Sequence, residues 1–120
     1  MEQKKFEKIM ELETNDSHNS FYGKAIVVQD MTGWTLYSYG TAIVRISNGK
    51  AARLWDGYSA TTMRHIQAFC DKYGVYCGGK KWWEGVPTNY TMAKEYPHRV
   101  FKGRVTKCNW MYTDFYPTEY

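Results

Sequence analysis

The sequence predicts an α+β fold in which an antiparallel meander of three to four strands is covered by one main helix and followed by an irregular C-terminal extension. Between residues 21 and 55, aromatic and β-branched residues fall into short runs separated by turn formers, which is typical of a meander. Directly afterwards, residues 58–75 carry apolar residues at three- and four-residue spacing between two cap signals, the pattern of an amphipathic helix. An antiparallel sheet with one apolar face needs such a cover.

The strands are predicted over residues 21–29, 34–39, 41–46 and 51–55. Asn48-Gly49 lies between the last two. Both central residues of a two-residue hairpin turn need positive φ, and Asn-Gly accepts it readily, so these strands should form a hairpin. Gly40 interrupts the pattern before the third strand, in which Ala42, Val44 and Ile46 are expected on the face opposite Ile43 and Arg45.

The helix predicted within residues 58–75 has a signal at each end. Ser59 is a candidate N-cap, whose hydroxyl can accept from a free backbone N–H of the first turn. Gly74 can take the left-handed conformation that ends a helix. Between them one apolar face is formed by Met63, Ile66, Phe69, Cys70 and Tyr73. We expect this face to lie on the sheet.

A chain of 120 residues is long enough for one domain and too short for two ordinary ones. Residues 1–20 are predicted to form an amphipathic helix, over residues 2–13, and a polar linker. Residues 21–87 form the α+β core, and residues 88–120 a basic and aromatic extension packed on it. Around the junction, residues 80–86 are expected to be a loop or single turn, residues 88–96 a short helix, and residues 98–112 an edge strand or hairpin.

The formal net charge is +4, and residues 77–120 contribute +3 of it, from seven Lys and Arg against four Asp and Glu. This balance argues against a nucleic-acid mimic, which would be strongly acidic, and allows nucleic acid or an acidic protein surface as partner. No stretch approaches the roughly 20 apolar residues of a membrane span or resembles a signal peptide. Three cysteines without paired spacing favour free thiols. The expected location is the cytoplasm, with no membrane association.

Basic residues alternate with aromatic ones in the last third of the chain, and this pattern gives the candidate binding residues. Cations neutralise phosphates and exposed rings stack on bases, while Trp and Arg also anchor protein interfaces. Arg64, on the helix side opposite the apolar face, could contact a phosphate or carboxylate, although a solvated helix position is the favoured interpretation. Some rings must belong to the core. The candidates are Lys80, Lys81, Trp82, Trp83, Arg99, Phe101, Lys102, Arg104, Lys107, Trp110 and Arg64.

No set of residues indicates catalysis or a cofactor. Capping explains Ser59 and the threonines after it, and His65, which borders the apolar face, is expected to make a structural hydrogen bond. The spacing of Cys70, Cys77, His98 and Cys108 matches no zinc pattern. The glycines near residue 79 lack the spacing of a phosphate-binding loop. The sequence therefore predicts a protein that is not an enzyme and holds no metal or cofactor.

Several short segments between residues 21 and 87 form a further pattern: Ser38-Tyr39-Gly40-Thr41, Asn48-Gly49-Lys50, Tyr58-Ser59-Ala60-Thr61-Thr62, Arg64-His65-Ile66, and Lys81-Trp82 before Pro87. This pattern resembles a family of small uncharacterised proteins from bacteriophages and mobile elements. The family pattern usually has Asn where this chain has Gly40, and the family has no assigned chemistry. The resemblance implies an accessory protein in a bacterial host cell that binds a host protein or nucleoprotein complex, such as an inhibitor of a CRISPR nuclease or other defence system. A small nucleic-acid-binding module is the alternative, and an enzyme of unknown class the third reading.

Overall fold

The computed structural model describes residues 8–12, 24–96, 98–101 and 115–117. Its main sheet has five antiparallel strands that neighbour one another in chain order. They are β1 (Lys8–Glu11), β2 (Ala25–Gln29), β3 (Trp34–Ser38), β4 (Thr41–Ser47) and β5 (Lys50–Arg53). The helices α1 (Ala60–Lys72), α2 (Lys80–Gly85) and α3 (Tyr90–Ala93) follow, and β6 (Arg99–Phe101) pairs antiparallel with β7 (Phe115–Pro117). The predicted α+β fold, a meander with one main helix, is confirmed.

The helix predicted within residues 2–13 is wrong for its described part, because residues 8–11 form strand β1 at the edge of the sheet. Ile9 pairs with Val28 and Met10 with Val27. Ile9 and Met10 are both buried but in different cores, as adjacent residues of a strand must be. A helix would have placed them about 100° apart on one side. Residues 1–7 and 13–20 lie outside the described residues.

Two-residue turns join β3 to β4 and β4 to β5. Tyr39 and Gly40 have φ of 52° and 84°, and Asn48 and Gly49 have φ of 53° and 73°. Positive φ at both central positions matches the right-handed twist of the strands. The hairpin predicted at Asn48-Gly49 is confirmed, and Gly40 interrupts the apolar pattern because it occupies the preceding turn. A side chain at Gly40 would also collide with the backbone oxygen of Arg99.

A β-bulge in β4 changes the predicted alternation of that strand. Leu36 pairs with Val44 and Tyr37 pairs with Ala42, so Ile43 is an extra residue between two registered pairs. Ala42 therefore joins a different core from Val44, and Ile43 joins the core of Val44. The expectation that Ala42 and Val44 share a face is wrong, because an inserted residue shifts a period-two pattern by one position.

Both faces of the sheet are covered, each over its own core. The first core lies under α1 and combines strand residues with Met63, Ile66, Phe69 and Cys70, four of the five residues predicted for the helix face. The second core lies on the opposite face, where Met92, Ala93 and Tyr96 pack against buried strand residues. The buried residues of this second core are Ile9, Ile26, Val28, Tyr37 and Ala42 of the strands and Leu54 directly after β5.

The second face also buries a charged pair. Arg45, 4% exposed, lies 3.0 Å from Asp30, donates 2.9 Å to Thr35 and lies 5.2 Å from the ring of Tyr96. Although burial opposes it, hydrogen bonds from Arg45 and Thr32 hold the pKa of Asp30 below its ordinary value of 3.8. The two side chains thus satisfy each other's polar atoms beside the apolar second core.

Both predicted caps of α1 are confirmed. Ser59 Oγ accepts from the backbone N–H of Thr62 at 3.1 Å. Gly74 has φ of 72°, and beyond it the Val75 N–H donates to the Cys70 carbonyl at 2.9 Å. This is the six-to-one hydrogen bond that defines a Schellman motif. These caps fix where the chain leaves α1 and therefore where residues 76–79 begin.

The loop or single turn predicted for residues 80–86 is wrong, because residues 80–85 form helix α2. Burial of Trp83, which is 0% exposed, supplies the tertiary contact that this short segment needs to be helical. The helix predicted within residues 88–96 exists but is short, with Asn89 as its N-cap at 2.9 Å from the Met92 N–H. Residues 99–101 form a strand as predicted, whereas 102–112 lie outside the described residues.

Candidate functional site

Aromatic rings and lysines meet on the outer side of α2. We call this surface the α2 patch and define it as Tyr58, Tyr76, Lys80, Lys81 and Trp82. Tyr76 is 76% exposed, Tyr58 is 37% exposed and both lysines are exposed. Trp82 is half-buried and rests on the first core. Large aromatic rings are usually buried at least in part, so the exposure of the Tyr58 and Tyr76 rings makes this surface a candidate binding site.

Four residues of the patch contact one another in two pairs. Lys80 Nζ lies 5.2 Å from the centroid of the Tyr58 ring, within the range of a cation–π contact. The Tyr76 and Trp82 rings meet edge to face, with centroids 6.1 Å apart. Gly78 lies beneath them, since a side chain there would approach Trp82 Cβ to 2.5 Å. The absence of a side chain at Gly78 therefore allows the two rings to meet.

A buried cluster holds α2 in place below the patch. Trp83 Nε1 donates to the Gly57 carbonyl at 2.9 Å. The Arg53 guanidinium lies 4.3 Å from the Trp83 ring centroid and donates to the carbonyls of Trp83 and Val86 at 2.7 and 2.9 Å. Arg53 thus ties the second half and the C-cap of α2 to the sheet, and the Trp83 ring packs against its guanidinium.

Helix α1 borders the patch on the other side. Gln67 Nε2 donates to the Gly78 carbonyl at 3.1 Å and so fixes the turn before α2. Arg64 is exposed and lies one turn before Gln67 on the same strip of α1. This strip extends the basic surface away from α2.

The predicted binding residues are only partly brought together. Lys80, Lys81 and Trp82 lie in the α2 patch and Arg64 borders it. Trp83 is a core residue, so its place on the predicted surface is wrong. Arg99 is half-buried against Tyr37, 5.7 Å from the ring centroid, on the second face of the sheet. The other predicted residues cannot be placed on a surface: the side chain of Phe101 is not described, and Lys102, Arg104, Lys107 and Trp110 lie outside the described residues.

Tyr58 and Tyr76 belong to the patch but were not among the predicted site residues. Tyr58 precedes the N-cap of α1, where a large apolar residue is normally expected to pack on the helix. Tyr76 comes two residues after Gly74, where the chain has left the helix. The available signal was an aromatic residue directly followed by Cys77-Gly78-Gly79-Lys80, since a glycine-rich turn offers no side chains to bury the ring.

Among the described residues, the nearest approach to a catalytic pair is buried under α1. Ser38 Oγ lies 3.0 Å from His65 Nδ1 and 3.2 Å from Thr62 Oγ1. Burial, helped by the charges of Arg64 and Lys24, lowers the pKa of His65 to about 4. Ser38 and His65 are 3% and 1% exposed, so a substrate has no path to these atoms, and the structural hydrogen bond predicted for His65 is observed.

Cys70 and Cys77 are free thiols that interact across the end of α1. A hydrogen bond between the two thiols, together with burial, raises the pKa of Cys70, and the same bond lowers the pKa of Cys77. Within the described ranges, no three His, Cys, Asp or Glu side chains are grouped so that they could hold a metal ion. Cys108 lies outside them. The described helices also include none with the length and apolarity to cross a membrane.

Comparison with known proteins places part of the chain in a family. The model of a family of unknown function, DUF8033, matches residues 10–85, which run from β1 to the end of α2. No curated protein and no solved structure matches the chain. The matched region contains every residue of the α2 patch.

Proposed function

The chain belongs to DUF8033, a family of unknown function, and we propose that it is a non-catalytic binding protein whose α2 patch docks on a partner protein. The observation that carries this proposal is the exposure of Tyr76, whose ring meets Trp82 beside two exposed lysines. Rings of Tyr and Trp that are already fixed against each other lose little entropy on binding, and they are enriched among interface anchors.

The charge of the patch indicates the kind of surface it fits. Lys80 and Lys81 are exposed and Arg64 extends the basic strip, whereas Glu84 is the single acidic residue of α2. A basic rim around aromatic anchors favours a partner with acidic residues near an apolar depression. The resemblance to phage and mobile-element proteins gives the class to test first, a host defence nuclease or its nucleoprotein complex.

Direct binding of nucleic acid is the second candidate function. Lys80 stands over the Tyr58 ring, and cations next to exposed rings suit a single strand, whose phosphates pair with lysines while its bases stack. The two candidates differ in their salt dependence. Release of counterions makes nucleic-acid binding fall steeply with salt, whereas an interface anchored by rings depends chiefly on a few buried contacts.

The test is capture of partners from a bacterial host lysate, followed by a binding titration of the purified partner. We expect Tyr76→Ala and Trp82→Ala each to weaken binding by about 2 kcal/mol or more, as hot-spot residues do. The paired change Lys80→Ala and Lys81→Ala should mainly slow association. Met31→Ala is the matched control, since Met31 is 74% exposed outside the patch.

The result that would overturn the preferred proposal is tight binding of bare DNA or RNA near physiological salt that the paired lysine change abolishes. Retention of a captured partner by both the Tyr76→Ala and Trp82→Ala proteins would show instead that another surface makes the contact. Circular dichroism of each variant must match that of the unmodified protein before these results are compared.

A further inference from the structure

We propose that the outer edge of β5 binds an extended acidic peptide segment of a partner protein by strand addition. A groove of about 700 Å³ lies along this edge, between residues 51–53 and residues 86–91. We call it the edge groove. It shares no residue with the α2 patch, so it is a second and separate site.

The direction of the backbone groups in β5 follows from two hydrogen bonds. The Leu54 N–H donates to the Ile43 carbonyl at 2.8 Å, so the backbone N–H and C=O groups of even-numbered residues point towards β4. The Arg53 carbonyl accepts from the Asn89 N–H at 2.8 Å, so the backbone groups of odd-numbered residues point away from β4. In an antiparallel pair these directions alternate along the strand. The N–H and C=O of Ala51 therefore point into the edge groove.

Nothing in the described chain pairs with those two groups of Ala51. Arg53 and Thr88 form a parallel bridge at one end of the groove. One residue further back stands Pro87, which has no N–H to donate. The Val86 carbonyl is turned instead towards Arg53 Nη1, at 2.9 Å. The segment before Thr88 thus leaves β5 rather than continuing the ladder, and the groove opens between them.

An unpaired N–H and C=O on one strand residue fit an extended backbone better than a helix, whose own groups are paired internally. The methyl side chains of Ala51 and Ala52 leave room for the residues of an added strand. Tyr90, 60% exposed, stands on the opposite wall and offers a ring for one side chain of the peptide.

Charge selects the peptide further. The residues that line the edge groove include Arg53 and no carboxylate, and the exposed Lys50 precedes them at the start of β5. Arg53 is buried and its guanidinium already donates to interior carbonyls, so Lys50 is the cation that favours an acidic side chain at that end of the added strand. The wall at residues 51–53 lies within the region that matches the family model, whereas the wall at residues 86–91 lies beyond it. The groove is therefore formed by the matched region together with the segment that follows it.

The test uses amide NMR spectra of the full chain with a short acetylated and amidated peptide of alternating glutamate and threonine. We expect shifts at Ala51 and at residues 88–91, and amide exchange at Ala51 slowed roughly tenfold or more. The same peptide with lysine in place of glutamate should bind at least about tenfold more weakly. Tyr76→Ala, which disables the α2 patch, should leave these shifts unchanged, so the two proposals fail separately.

Ala51→Pro is the decisive variant, because it removes the outward N–H without removing a bond to β4, and proline is tolerated on an edge in that orientation. Ala51→Val keeps the N–H and is its control. We expect Ala51→Pro to reduce peptide affinity by tenfold or more and Ala51→Val to preserve binding. The proposal would be overturned by equal peptide affinity of the two variants, or by shifts confined to the α2 patch. It would also be overturned if no shift occurred at millimolar peptide. Pairing of the edge with a second copy of the chain, increasing with protein concentration, would overturn it as well.

Discussion

Arg53 brings a positive charge into the interior, and its donors are satisfied by main-chain carbonyls. Nε donates to Trp55 at 2.7 Å, Nη1 to Trp83 and Val86, and Nη2 to Gly57 at 3.2 Å. These acceptors come from the loop after β5 and from the second half and C-cap of α2. A single side chain thereby holds two segments of backbone together, and its planar fork is what reaches both.

Replacement of Arg53 by lysine should lower the free energy of unfolding by about 2–4 kcal/mol, because one ammonium group cannot reach four separated carbonyls and buried acceptors are left unpaired. Urea denaturation measures this loss. Arg64→Lys is the control at an exposed position and should change stability by less than about 0.5 kcal/mol. Equal stability of the two variants would contradict the role assigned to Arg53.

His65 should make the protein less stable as the pH falls from 6.5 towards 4. Its pKa is about 4 in the folded protein and 6.5 in the unfolded chain, so between these values the unfolded chain binds more protons. The contribution of His65 to the free energy of unfolding is therefore fully present above pH 6.5, and it falls by about 3 kcal/mol as the pH is lowered to 4. Urea denaturation at several pH values should show this slope in the unmodified protein.

His65→Asn is the comparison for that slope, because the amide can replace the bond to Ser38 and does not titrate. The variant should depend less on pH between 6.5 and 4. Asp30 does not confuse the result, since its lowered pKa confines its contribution to pH values below about 4. An identical slope in both proteins would show that another group titrates in this range.

Cys77 should react with iodoacetamide faster than Cys70. The thiolate is the nucleophile, and the bond from Cys70 lowers the pKa of Cys77 while Cys70 itself is buried. Mass spectrometry of digested samples follows each site separately. Cys70→Ala should slow alkylation of Cys77, because the thiol that stabilises its charge is lost. Faster reaction at Cys77 in that variant would indicate that Cys70 merely blocks access.

At the scale of single elements, the stop of α1 gives a direct test of backbone strain. Gly74→Ala should destabilise the protein by about 1 kcal/mol, because alanine is unfavourable at φ of 72° although the space around it is open. Gly85→Ala, in α2 and equally open, should be neutral or slightly stabilising. Thermal unfolding of both variants decides the matter, and equal losses would refute the left-handed stop.

Elements with local signals could be predicted from the sequence, and elements that depend on distant partners could not. Ser59, Gly74 and Asn48-Gly49 act through bonds and torsions within a few residues, so their roles are visible in the chain. Strand β1 depends on pairing with β2, and α2 on the burial of Trp83 over Arg53, thirty residues earlier in the chain. The bulge at Ile43 likewise follows from the pairing with β3 and has no local marker.

At the scale of the whole molecule, β1 closes one side of the sheet and contributes to both cores. Ile9→Ala and Met10→Ala should each lower the free energy of unfolding by about 2–5 kcal/mol, the usual cost of truncating a buried side chain. A projecting terminal helix would have predicted almost no effect. Met31→Ala, at an exposed position, is the control, and losses as small as its own would show that β1 is dispensable.

The candidate surface could be predicted only in part from the sequence, because the exposure of a side chain depends on how the whole molecule packs. Lys80, Lys81 and Trp82 were recognisable because charge and aromatic character are local properties. Which of two adjacent tryptophans faces water depends on the position of α2 against Arg53, and the exposure of Tyr76 depends on where α1 ends. The sequence therefore indicated the composition of the α2 patch but not its members.

The paired turns at Tyr39-Gly40 and Asn48-Gly49 have a consequence for the order of folding. Each brings adjacent strands together with minimal chain closure, so β3, β4 and β5 can zip within microseconds, the timescale of a hairpin. β1 must wait for a closure across residues 12–24. In pulse-labelling experiments, amides of residues 35–53 should become protected before those of residues 9–11, and β1 should be the last strand to be protected.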